Sequence, residues 1–104
     1  MEEATMAYAH ITEFESGDDR STMNYDAAAE RLSAQGQPEG AIHHSAGFDD
    51  SGVFRMYEVW ESREHRARFV KETLEPLLAE GPVDPTRTNP PDREYGYDLH
   101  AVVQ

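Results

Sequence analysis

From Ala7 to Phe14 apolar and polar side chains alternate as in a half-buried strand, with Tyr8, His10, Thr12 and Phe14 on one face. The run ESGDDRS ends that alternation. Ser21 or Thr22 then N-caps a helix, with Asp18 and Asp19 near its positive end, and Tyr25, Ala28, Ala29 and Leu32 recur at helical spacing until QGQPEG stops it. Two strands follow, AIHHSAGF from Ala41 to Phe48 and VFRMYEVWE from Val53 to Glu61, joined by DDSG. Ser62 caps a second helix whose predicted buried stripe is Ala67, Val70, Leu74 and Leu77. Pro76 falls inside that stripe, so the helix is expected to kink or loosen where the backbone bond back to Glu72 is lost. The proline-rich segment from Gly81 to Arg93 is too polar for a core and is expected to run along the surface near a cleft mouth. EYGYDLHAVV, from Glu94 to Val103, supplies a last strand.

The order βαββαβ makes an α+β sandwich of ferredoxin-like type, with a four-stranded antiparallel sheet and two helices on one face. All 104 residues form one domain; there is no repeat and no composition break. The helices cover a single face of such a sheet, which leaves Ile11, Tyr57 and Val59 on the other. Apolar side chains there favour burial against a second copy, so a homodimeric α/β barrel is expected.

Composition narrows the chemistry. With Cys 0 there is no disulfide, thiolate metal site or cysteine nucleophile, which suits a reducing cytoplasm. The start MEEATMAYAH lacks the basic and long apolar regions of a signal peptide, and no apolar run is long enough to span a bilayer. A formal net charge of -12 argues against nucleic-acid and anionic-membrane partners, which select basic surfaces. Lys71 is the only lysine beside several arginines. No Gly-rich phosphate loop or nucleophile elbow is present.

The passage YEVWESREHRARFVKETLEPLL resembles the strand-to-helix passage of the antibiotic-biosynthesis-monooxygenase-like group of dimeric α/β barrels: Trp60-x-Ser62, then Phe69, then Leu74-x-Pro76. Thr22 with Tyr25 and Asp26, the Gly40, His44, Ala46, Gly47 pattern and the His100 to Val103 run support the resemblance, which covers almost the whole chain. It implies the dimeric fold but not one chemistry, because this superfold hosts unrelated activities. The quinone-forming monooxygenases of the group carry an Asn four residues before the tryptophan and a Tyr six after it, where this chain has Met56 and Arg66. The haem-degrading members use a first-strand Asn with a Trp and a His on the second helix, matched here by His10, Phe69 and Ala79. Neither residue set carries over.

His43 and His44 are neighbours on a strand and point to opposite faces, so they cannot share one metal ion. If Asp50-Ser51-Gly52 is a three-residue loop with Gly52 left-handed, Asp49 pairs with Val53. Phe48 then faces Phe54, Ala46 faces Met56, His44 faces Glu58 and Ile42 faces Trp60, which gathers the large apolar side chains on one face. His43 goes to the opposite face. In this reading His44 is a general base, Glu58 its orienting carboxylate and His10 a second polar contact. Phe48, Phe54, Met56, Trp60, Phe69 and Tyr25 line a cleft for a small, largely apolar molecule, aromatic or polyketide-like. Cofactor-independent oxygenation, isomerisation or cyclisation is the expected chemistry. A non-catalytic dimeric binding or accessory module, and a haem protein with His10 or His44 as axial ligand, are the alternatives. No spacing supports a metal held by His10, His44 and Glu58, and no cofactor is expected. His65 is expected to be solvated.

Overall fold

The computed structural model describes residues 6–16, 19–82, 84 and 90–103. Strand β1 is Tyr8–Glu15, helix α1 Met23–Ala34, β2 Ala41–Phe48 and β3 Val53–Trp60. The second helix runs through α2 (Arg63–Phe69), a π turn (Val70–Leu74) and α3 (Glu75–Leu78), and β4 is Arg93–Asp98. The four strands form one antiparallel sheet in the order β2-β3-β1-β4, the ferredoxin-like arrangement. Both helices contact the face that carries His44, Glu58 and Trp60. Among the described residues no helix is long and apolar enough to cross a membrane.

The β2–β3 register is the one expected from the hairpin. The Asp49 amide donates to the Val53 carbonyl at 2.9 Å, Gly52 takes φ 94°, and the pairs Phe48–Phe54, Ala46–Met56 and His44–Glu58 follow. The Asp49 carboxylate ties the loop together by accepting from the Ser51 amide and hydroxyl, the Val53 amide and Arg55. These donors, the Ser51 hydroxyl first, lower its pKa to about 2. At the far end the expectation fails. Trp60 pairs with Ala41 and not Ile42, because a bulge between Ala41 and His43 takes Ile42 out of register. Ahead of the bulge Gly40 has φ 84°, and a Cβ there would fall within the His65 ring, so only glycine fits.

Helix caps follow the sequence only in part. Ser62 caps α2 by accepting from the His65 amide at 3.2 Å. Thr22 occupies the N-cap of α1, but its hydroxyl donates to Asp26 at 2.7 Å and makes no cap bond. Asp18 lies outside the described residues. Pro76 has the expected effect in a specific form: the Glu75 amide donates five residues back to the Val70 carbonyl, so a π turn leads into the proline-bearing last turn. Ala67 is exposed and is not part of the buried stripe. Arg66 faces the sheet instead, drawn there by Glu58.

Two further expectations need correction. The last strand stops at Asp98, because β1 begins at Tyr8 and offers no partner beyond the bond from the Leu99 amide to the Ala7 carbonyl. His100 to Val103 are therefore unpaired and exposed. On the face away from the helices, Ile11 and Val59 are not in water; they are 4% and 5% exposed within the single chain, with Ile11 between Tyr57 and Tyr95 and Val59 beside Ala9 and His43. Among the described residues Tyr95 and Tyr97 are the large hydrophobic side chains this face leaves exposed. Of the connection from Gly81, Val83 and Pro85–Asn89 lie outside the described residues; Asp84 exchanges two hydrogen bonds with the Asn24 side chain on α1.

The depressed pKa of Asp49 has a pH signature. A carboxyl whose folded pKa lies below its unfolded value of 3.8 adds stability above that value and loses it as pH falls towards about 2. Asp49→Asn is expected to flatten the stability profile between pH 4 and 2 in acid-unfolding curves. An unchanged profile would show that the hairpin does not depend on this carboxylate.

Candidate functional site

Cross-strand pairing places His44 opposite Glu58 and Glu58 opposite His10, so the three candidate polar residues stand in one row across β2, β3 and β1. All point to the helix side of the sheet. The row ends at Gly96 of β4. Register therefore brings the three together, but their bonds run elsewhere.

His44 does not bond to Glu58. Its Nε2 is joined to the Tyr25 hydroxyl of α1 at 2.6 Å, with the two rings nearly parallel at 11°. Tyr25 is braced edge-on by Phe54 at 5.3 Å, and Phe54 meets Phe48 at 4.9 Å. Burial, then the charges of Asp26 and Glu58, raise the Tyr25 pKa above its ordinary value. Tyr25, expected as a wall residue, is thus the direct partner of the imidazole. Met56 is half-buried in the next row, beside Ala46 and Thr12.

Glu58 serves the other helix. Its Oε1 accepts from Trp60 Nε1 at 2.8 Å and from Arg66 Nε at 3.2 Å. Arg66 also lies 3.8 Å from Glu94 Oε2, which in turn meets His10 Nε2 at 2.9 Å. The remaining nitrogen of His10 bonds the Tyr8 hydroxyl at 3.1 Å. A connected polar network thus runs from Tyr8 to Trp60 under α2, and no buried side-chain N or O among the described residues lacks a partner. The Tyr8 ring lies over Gly96, and the Arg63 guanidinium stacks above it at 4.6 Å.

Tyr8, Arg66 and Glu94 were not among the expected site residues. Alternation through EYGYD puts Glu94, Gly96 and Asp98 on the helix side, and Arg66 lies one helical turn before Phe69 and Val70, so both signals were present. Trp60 is buried and packs on Phe69 at 5.1 Å, which places the two in the seam between α2 and the sheet. His65 is half-buried, bonds Ser62 at 2.7 Å and packs on Gly40, and so is not the solvated residue expected. A surface depression of about 630 Å³ lies apart from the row, lined by Ala7, Ile42, Glu61, Ser62, Glu64, His65 and Val102. Among the described residues no group of three His, Asp or Glu side chains is placed to hold a metal ion.

No protein-family model matches the sequence, and no curated protein matches it. Solved structures do. A Chloroflexus aurantiacus J-10-fl protein named provisionally as an antibiotic biosynthesis monooxygenase is 14% identical with a TM-score of 0.62, over 94% of this chain and 97% of its own. A Nitrosomonas europaea protein of unknown function reaches a TM-score of 0.64 at 14% identity, over 98% and 97% of the two chains. The chain has the α+β ferredoxin-like fold of these structures. A heme-degrading protein from Mycobacterium tuberculosis shares that fold at 16% identity and a TM-score of 0.58, over 96% of this chain and 98% of its own. Neither histidine that was a candidate axial ligand presents a free Nε2 to a haem. Both ring nitrogens of His10 are engaged, and His44 would have to ligate through Nδ1, the nitrogen nearer its own backbone.

Gly96 keeps this network in register. A Cβ there would strike the Tyr8 ring and come within 2.7 Å of the Ala9 carbonyl oxygen. Gly96→Ala is expected to cost about 1–3 kcal/mol through overpacking and to displace the Tyr8 hydroxyl from His10. Denaturant unfolding together with the His10 imidazole resonances checks both effects. Wild-type stability would mean that β4 lies farther from Tyr8.

Proposed function

We propose that the chain is a small-molecule enzyme of the antibiotic-biosynthesis-monooxygenase-like type, working on a small, largely apolar aromatic or polyketide-like substrate in the cleft between helices and sheet. The observation that carries this reading is the polar row His44–Glu58–His10 beneath α1 and α2, with Tyr25, Phe48, Phe54 and Met56 around its open end. Activating the acidic C–H of the substrate, as oxygenation, isomerisation or cyclisation through an enol each requires, falls to His44 as hydrogen-bond donor to the carbonyl oxygen, the carbon proton passing to solvent base. His44 is exposed and keeps Nδ1 without a hydrogen bond among the described residues, whereas Glu58 and His10 are held in the buried network. Glu58 then acts through its charge on Tyr25 and not as a hydrogen-bonded orienter of the imidazole. No α1 side chain is fully buried, so the helix stands over the sheet without a closed seam, which supports entry of a planar ligand on that side.

A homodimer remains part of the proposal, with Tyr95 and Tyr97 as the side chains a second copy would cover. A monomer mass in sedimentation at micromolar concentration would remove it.

Hydrogen–deuterium exchange at the acidic carbon of a naphthyl β-diketone tests the chemistry without the natural substrate. The protein is expected to accelerate exchange over buffer, and His44→Ala to cut that acceleration by roughly 100-fold, the low end for removing one such donor. Exchange no faster than in buffer, or equal in the folded variant, would contradict the proposal.

A further inference from the structure

The bond between Tyr25 and His44 decides which nitrogen of the imidazole faces a ligand. A phenol O–H is a stronger acid than a neutral imidazole N–H, and an imidazole nitrogen a stronger base than a phenol oxygen. In the neutral pair the Tyr25 hydroxyl therefore donates and His44 Nε2 accepts, across 2.6 Å. An imidazole that accepts at Nε2 carries its proton on Nδ1. The phenol is held for this role: α1 places it, Phe54 braces its ring edge-on, and burial with the nearby charges of Asp26 and Glu58 keeps it protonated. Nδ1 makes no hydrogen bond among the described residues, and the side chain is exposed.

We infer that Tyr25 is the positioning residue of the site, locking His44 as an Nδ1–H donor, and that the molecule taken here presents an acceptor oxygen, a carbonyl or enolate on an aromatic skeleton, to that N–H. A ligand with only donors or only hydrocarbon would leave the N–H unpaired, whereas an oxygen that gains negative charge as solvent base takes the neighbouring carbon proton and an enolate forms would strengthen the bond. The aromatic skeleton follows from Phe48 and Phe54 beside Tyr25. That ligand class rests on the cleft proposed above; the tautomer depends on Tyr25 and His44 alone.

Long-range proton–nitrogen correlation spectra of the isotope-labelled protein, at a pH where His44 is neutral, read the tautomer directly. Wild-type His44 is expected to show a protonated Nδ1 and an unprotonated Nε2. Tyr25→Phe keeps the ring on Phe54 but loses the hydroxyl, and is expected to shift His44 to a population dominated by the Nε2–H form. A wild type already in that form, or a variant spectrum identical to wild type, overturns the positioning role. Acetylnaphthalene is then expected to move the His44 Nδ1 resonance, and ethylnaphthalene to leave it in place. If acetylnaphthalene moves the Phe48 and Phe54 amides but not His44, the ligand class is wrong. If it moves no cleft resonance, the cleft itself is wrong and the ligand class falls with it, while the tautomer result still decides the role of Tyr25.

Discussion

One guanidinium ties the second helix to the sheet. Arg66 reaches from α2 to Glu58 on β3 and lies near Glu94 on β4, with only 18% of its own side chain and 13% of that of Glu58 exposed. At that depth an ion pair is not the weak, screened contact of a protein surface. Removing either partner strands a charge under a helix, so the pair constrains everything around it. It holds Trp60 through the shared carboxylate oxygen, places Phe69 on the indole, and fixes how closely the helix approaches the strands.

The same bond explains why the proposed chemistry falls to the edge of the sheet. With Glu58 taken by Arg66 and Trp60, and His10 taken by Tyr8 and Glu94, the inner part of the polar row is saturated. His44 lies on the edge strand β2, outside that network, and among the described residues its hydrogen-bond partner comes from α1. The two helices thus divide the row. α2 uses its buried part to hold the fold, and α1 leaves its open end with an aromatic surround and one hydrogen-bonded imidazole.

Much of this was legible in the sequence. Alternation, the Asx-rich turn with Gly52 and the Ser62 cap specify the strands, their hairpin register and the start of the second helix, because each is a local signal with a narrow set of geometries. The bulge at Ile42 was not legible: an isoleucine suits either face, and the need for glycine at position 40 shows only once His65 is packed upon it. The opposition of His44 and Glu58 was read correctly, but not their partners. Those come from helices, and strand periodicity says nothing about which arginine or tyrosine a helix lowers onto the sheet. Arg66 in particular was not read as facing the sheet, since a helical pattern counts arginine as polar until a buried carboxylate claims it.

The dependence of the fold on this pair is most directly measured by a double-mutant cycle in denaturant, combining Glu58→Gln with Arg66→Met and following unfolding of each single variant and the double. A coupling energy of about 1.5–3 kcal/mol is expected for a hydrogen-bonded charge pair held out of water. Losses that add to within about 0.5 kcal/mol would show that the two side chains act independently, and Arg66 would not be what withdraws Glu58 from His44.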